Sequence, residues 1–185
     1  ILPPIQSTDD ENTWKYSFVE VRIEDRMAKV CISAPQEAPQ RSATTWSLQM
    51  FRELEDALLR LRFNHLEIGL VLFTTKGDAD QVLAHEQWLA EQSLGDWFLH
   101  EVLHFQKRTL RKVDNMAKSL FALIEEGHCF VGTLFEITLA CDRSYMFLDD
   151  DLENTIMLSQ ANQGRFLMSN GNTRLQQRFL GDTDH

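Results

Sequence analysis

The chain has 185 residues, 43% of them hydrophobic, and a formal net charge of −10, which suits one intracellular globular domain with a sizeable core and argues against a phosphate backbone as its main target. Three cysteines, Cys31, Cys129 and Cys141, are odd in number and lack CxxC spacing, so a disulfide framework and a zinc ribbon are excluded and reduced, buried thiols are expected. No apolar run approaches the ~18 residues of a membrane span and no basic-then-apolar leader opens the sequence, so neither a span nor a signal peptide is predicted.

Residues 1–13, with Pro3, Pro4 and an Asp-Asp-Glu run, read as an irregular lead-in, and residues 14–185 as one domain. Residues 18–24 alternate, with Val19, Val21 and Ile23 against Glu20, Arg22 and Glu24, and residues 28–33 alternate again, which predicts a β-hairpin. A polar loop with two prolines follows over 34–45, and Ser47 is placed to cap a helix whose stripe is Leu48, Phe51, Leu54, Leu58 and Leu61. Residues 67–74, EIGLVLFT, read as a buried strand, and helix followed by strand suggests a crossover over one face of a sheet. The loop Thr75-Lys76-Gly77-Asp78-Ala79-Asp80 comes next.

Residues 96–113 form a long amphipathic helix with Leu99, Val102, Leu103 and Leu110 on its apolar face. Its last turns carry Arg108, Arg111 and Lys112, a candidate patch for an anionic ligand. The same helix contains His100-Glu101-Val102-Leu103-His104, which matches the H-E-x-x-H spacing of two zinc-ligating imidazoles and a water-activating glutamate, with Glu125 or Glu126 available as a third ligand. Only three positions are fixed and no longer zinc signature extends the match, so two histidines beside core residues are the expected reading and no metal is assigned.

The most informative stretch is 119–146, SLFALIEEGHCFVGTLFEITLACDRSYM. Residues 120–124 make a short apolar strand, Gly127 and Gly132 permit sharp turns, and residues 133–142 carry Leu134, Ile137, Thr138 and Cys141 at helical spacing. A helix starting near Gly132 presents unpaired N–H groups at the positive end of its dipole, where an oxyanion formed from a carbonyl would be stabilised. Glu136 lies one turn further in. Residues 145–148 then read as the end of a strand, 149–154 as a solvated acidic connection, 156–159 as a short strand, and 174–180 as a helix capped by Thr173.

The frame Gly132-Thr133-Leu134-Phe135-Glu136, followed by Ala140-Cys141-Asp142, resembles the GGGxE(L)xxxCD pattern of the crotonase (enoyl-CoA hydratase/isomerase) superfamily. Within it the wording is most similar to the ring-cleaving benzoyl-CoA-dihydrodiol lyase branch, and the resemblance runs from about Trp14 to Leu180. It implies an α/β fold in which ββα units wind as a spiral with two roughly perpendicular sheets. It also implies a lyase acting on a CoA thioester in aromatic degradation, with coenzyme A as part of the substrate and no separate cofactor, and a cytoplasmic homo-oligomer bound to neither nucleic acid nor membrane. On the same ground Thr133 and Ala79 would supply the two oxyanion-hole N–H groups, Glu136 and Gln160 would be the catalytic pair, and Gly132 and Asp78 would border the substrate. Most relatives have glutamate where this chain has Gln160, and an amide cannot exchange a proton near neutral pH.

The family continues through further helices that complete the acyl-CoA pocket, whereas this chain stops at 181–185, so a domain incomplete at its C-terminus is expected. Two alternatives stand beside the lyase: a non-catalytic acyl-CoA-binding or structural domain of a larger protein, and a zinc hydrolase built on His100, Glu101 and His104.

Overall fold

The alternation of residues 18–33 becomes the hairpin it predicts in a computed structural model, which describes residues 2–149 and 154–180. Strands β3 (Val19–Glu24) and β4 (Met27–Ser33) pair antiparallel, with Val19, Val21, Ala28, Val30 and Ile32 buried on one face. Asp25 makes the tight turn at φ 52, a conformation that aspartate tolerates better than most residues. The stretch expected to be irregular contributes β1 (Thr8–Asp9), which pairs with β2 (Thr13–Lys15), and β2 pairs with β3. Strands β5 (Leu70–Lys76), β6 (Ser119–Ile124) and β7 (Arg143–Met146) then add in parallel, so the sheet has seven strands in chain order.

Helix α1 (Trp46–Phe63) connects β4 to β5, and its stripe Phe51, Leu54, Leu58 and Leu61 is buried against the sheet. Ser47 does not cap it. The helix starts two residues earlier with Thr45 at its N-cap, no side chain caps it, and Ser47 is buried inside the first turn. The Trp46 indole fixes this start by donating to the Ser33 carbonyl at 3.0 Å, a tertiary bond that no local signal announces. Strand β5 is also shifted from the predicted 67–74, because pairing with β4 runs from Met27↔Leu70 to Ser33↔Lys76.

Two helices, α2 (Ala79–Gln92) and α3 (Trp97–Asp114), cross from β5 to β6. Both start on an aspartate: Asp78 accepts from Asp80 N–H, and Asp96 accepts from the N–H groups of Phe98 and Leu99. Helix α4 (Gly132–Ala140) links β6 to β7, and Asp142 ends it by accepting from Leu120 N–H at 2.8 Å. Helix α5 (Arg174–Arg178) starts on Thr173, which forms a capping box with Gln176 as the sequence suggests.

The expected pair of perpendicular sheets is reduced among the described residues to the one sheet and an isolated parallel bridge, Val131↔Met157. The predicted strand 156–159 contributes only that bridge, because Ser159 turns the chain into a 3-10 turn, Gln160–Gln163, closed by a capping box with Asn162. Of the predicted acidic connection, residues 150–153 lie outside the described residues. The helices cover one face of the sheet and bury the main core, while α2 and α4 both begin at the carboxyl ends of parallel strands, where α/β sheets place their sites.

Candidate active site

Val131 has no side-chain donor or acceptor, so nothing at the N-cap satisfies the first N–H groups of α4. Gly132 N–H donates to the Met157 carbonyl at 3.1 Å, and Thr133 is served from α2. Thr133 donates to Glu86 Oε2 through both its backbone N–H and its hydroxyl, each at 2.6 Å. Ser159 donates its hydroxyl to Glu86 Oε1 at 2.5 Å. Arg165 Nη1 is 3.7 Å from the same oxygen and makes no hydrogen bond. Gly132 lies beneath this cluster at φ 47, and a Cβ there would collide with Glu86 Oε2 and press on Ser159 Oγ at 3.0 Å. Only glycine lets Glu86 reach the helix end.

Glu136 lies one turn further along α4 and is 2% exposed. Its Oε1 accepts from Asn162 Nδ2 and its Oε2 from Arg174 Nη1, both at 2.7 Å. Arg174 is equally buried and grips Asp114 with a two-point fork at 2.8 and 2.7 Å, while donating to the Phe166 carbonyl. Burial pushes the Glu136 carboxyl above its ordinary value, and the donors on Asn162 and Arg174 oppose that shift without reversing it. The 3-10 turn joins the two carboxylate networks, since Ser159 holds Glu86 and Asn162 holds Glu136 and the Gly132 carbonyl.

Thr133, Gly132 and Glu136 are therefore brought together as the sequence suggests. Ala79 is the first residue of α2, where its N–H has no partner within the helix, and Asp78 spends its carboxylate on the Asp80 N–H as a cap. Gln160 is exposed at the start of the 3-10 turn, and the amide that touches Glu136 belongs to Asn162, two residues on. Glu86, Ser159, Asn162, Arg165 and Arg174 escaped sequence reasoning. A signal for Glu86 existed: Val82, Glu86 and Leu89 fall on one helical face and all three are buried, a carboxylate in the middle of an apolar stripe.

The basic run of α3 does not form a patch. Arg111 donates to the carbonyls of Leu167 and Met168 and Lys112 pairs with Glu55, which leaves Arg108 over the Phe105 ring. Arg108 borders a groove of about 600 Å³ between α1 and α3, together with Arg41, Arg52, Trp97 and Phe98. His100 and His104 are exposed with their Nε2 atoms 3.0 Å apart, while Glu125 pairs with Lys29 at 3.7 Å. Among the described residues no three His, Cys, Asp or Glu side chains are grouped to hold a metal ion. Burial raises the Cys129 thiol to about 11 and the Cys141 thiol to about 12, so both are protonated packing groups at neutral pH.

No protein-family model matches the chain. It is 40% identical over 188 aligned positions to the benzoyl-CoA-dihydrodiol lyase of Aromatoleum evansii, an alignment covering 96% of this chain and 34% of that protein. Among solved structures, an enoyl-CoA hydratase from Geobacillus kaustophilus superposes with a TM-score of 0.59 at 20% identity, covering 88% of this chain and 57% of the other. The fold is that of the crotonase superfamily. An enoyl-CoA hydratase from Bacillus halodurans shares it at a TM-score of 0.50 and 19% identity, over 70% of this chain and 50% of the other. This crotonase-fold chain spans about a third of the curated relative it matches.

Proposed function

We propose that this chain is the crotonase-fold part of a lyase that cleaves the ring of a dihydrodiol aryl-CoA, using the start of α4 to stabilise negative charge on the thioester oxygen. The observation that supports this reading is that Thr133 N–H, at the positive end of α4, holds a carboxylate oxygen at 2.6 Å, the distance and charge an enolate oxygen would present. Thr133 and Ala79 supply the two N–H groups, Glu136 moves the proton, Gln160 orients a water or hydroxyl, and Gly132 and Asp78 border the acyl group. Coenzyme A enters as part of the substrate, with no separate cofactor and no metal. The protein acts as a cytoplasmic homo-oligomer. No described helix is long and apolar enough to cross a membrane.

A second reading is favoured by the state of the two carboxylates. Glu136 is locked between Arg174 and Asn162, and Glu86 already fills the Thr133 donor, an arrangement that also suits a non-catalytic acyl-CoA-binding domain. Glu136→Gln separates the two. A proton-carrying Glu136 predicts a fall in turnover of ~10²–10⁴-fold with acyl-CoA affinity retained, measured on the dihydrodiol of benzoyl-CoA. Unchanged turnover in an active parent would remove Glu136 from the chemistry.

A further inference from the structure

An anion site can be occupied by only one anion at a time, and here the occupant is the protein's own side chain. Glu86 Oε2 takes both donors of Thr133, the N–H and the hydroxyl, and the missing Cβ of Gly132 is the space that lets it do so. A substrate oxygen on Thr133 N–H and a carboxylate oxygen on the same N–H exclude one another. We propose that Glu86 is an internal competitor for the oxyanion site, which an acyl thioester must displace before its carbonyl can be polarised. This rests on the thioester reading for the identity of the displacing ligand, though not for the occupancy itself.

The surroundings give the displaced carboxylate somewhere to go. Ser159 already donates to its other oxygen, and Arg165 Nη1 is 3.7 Å from that oxygen, buried and without a hydrogen-bond partner. Movement of Glu86 off Thr133 toward Arg165 exchanges one N–H and one O–H donor for a charge-assisted bond to a guanidinium, so the ion is never left unpaired in a dry site. The state that binds substrate is then the minor one in the free chain, where Glu86 sits on Thr133. Affinity is then reduced by the fraction of chains in which Glu86 has moved.

The competing carboxylate can be removed and an external one supplied. In Glu86→Ala, sodium acetate is expected to saturate the vacated position and return the Thr133 backbone amide resonance toward its place in the parent protein, whereas the parent amide does not respond to acetate. In Glu86→Gln, which keeps the side-chain volume and loses the charge, benzoyl-CoA is expected to bind about tenfold more tightly than to the parent. A folded Glu86→Ala whose Thr133 amide ignores acetate overturns the proposal, and so does benzoyl-CoA that binds the parent and binds Glu86→Gln no more tightly. Should acetate fill the site in Glu86→Ala while no variant binds benzoyl-CoA, the internal occupancy stands and the thioester reading of the site fails.

Discussion

Arg174 is the residue on which the Glu136 end of the candidate site depends. Its guanidinium, 1% exposed, joins the carboxylates of Glu136 and Asp114, two negative charges that burial would otherwise leave facing each other. Arg174→Met should cost about 3–5 kcal/mol, because it strands two buried carboxylates rather than removing a neutral contact. Arg174→Lys should recover little of it, since a point charge cannot make the fork to Asp114 and reach Glu136 at once. Urea denaturation of the three proteins reads this directly, and a loss under 1 kcal/mol in the methionine variant would show that the network is not holding α5 in place. At this scale the sequence was legible where a local rule applied. Gly132 starts the helix, so Thr133 and Glu136 fall where helical geometry puts them. Glu86 was not legible as a site residue, since it meets Thr133 across 47 positions of chain, and no spacing rule reaches that far.

Among the elements, α2 most clearly shows what sequence reading misses. Asp78, expected to border the substrate, also caps with its carboxylate a helix that carries His85 and Glu86 toward the core. His85 packs edge-on against Trp46 and shares a 2.8 Å hydrogen bond with the Glu37 carbonyl, which requires the Nε2–H tautomer. Burial holds its pKa below the ordinary 6.5, with the Glu37 carbonyl pulling weakly the other way, and His128 is lowered by burial as well. The unfolded chain therefore takes up protons first as the pH falls. Stability contributed by neutral His85 is complete above about 6.5 and is lost as the pH drops through that value toward the folded pKa. Glu136, whose folded pKa is raised, has the opposite sign and acts upward from the ordinary carboxylate value. Unfolding free energy should thus fall between pH 7.5 and 5.5, and less steeply in His85→Gln, as measured by urea titration at each pH. Identical slopes in parent and variant would refute the assignment. The hairpin, α1, α3, α4 and the Thr173 cap were all legible because each is written in local periodicity or capping chemistry. The shift of β5 and the bare start of α1 were not, because strand pairing and the Trp46 bond decided them.

At the scale of the whole molecule, alternating strands and helices establish an α/β layer, antiparallel through β4 and parallel from β4 to β7, and the resemblance in 119–146 adds the crotonase fold that the superpositions bear out. Among the described residues the second sheet does not form. Its place is held by one bridge, Val131↔Met157, beside the site. Among the described residues two places compete for the proposed aryl thioester, the start of α4 and the groove between α1 and α3 bordered by Arg41, Arg52 and Arg108. The first is the proposed functional site. It is tested most directly by titrating benzoyl-CoA into the ¹⁵N-labelled chain and following every backbone amide. Saturable binding is expected, with the largest displacements at Thr133 and Ala79, as Glu86 gives way to the thioester oxygen. Displacements centred on Trp97, Phe98 and Arg108, with Thr133 unmoved, would contradict it.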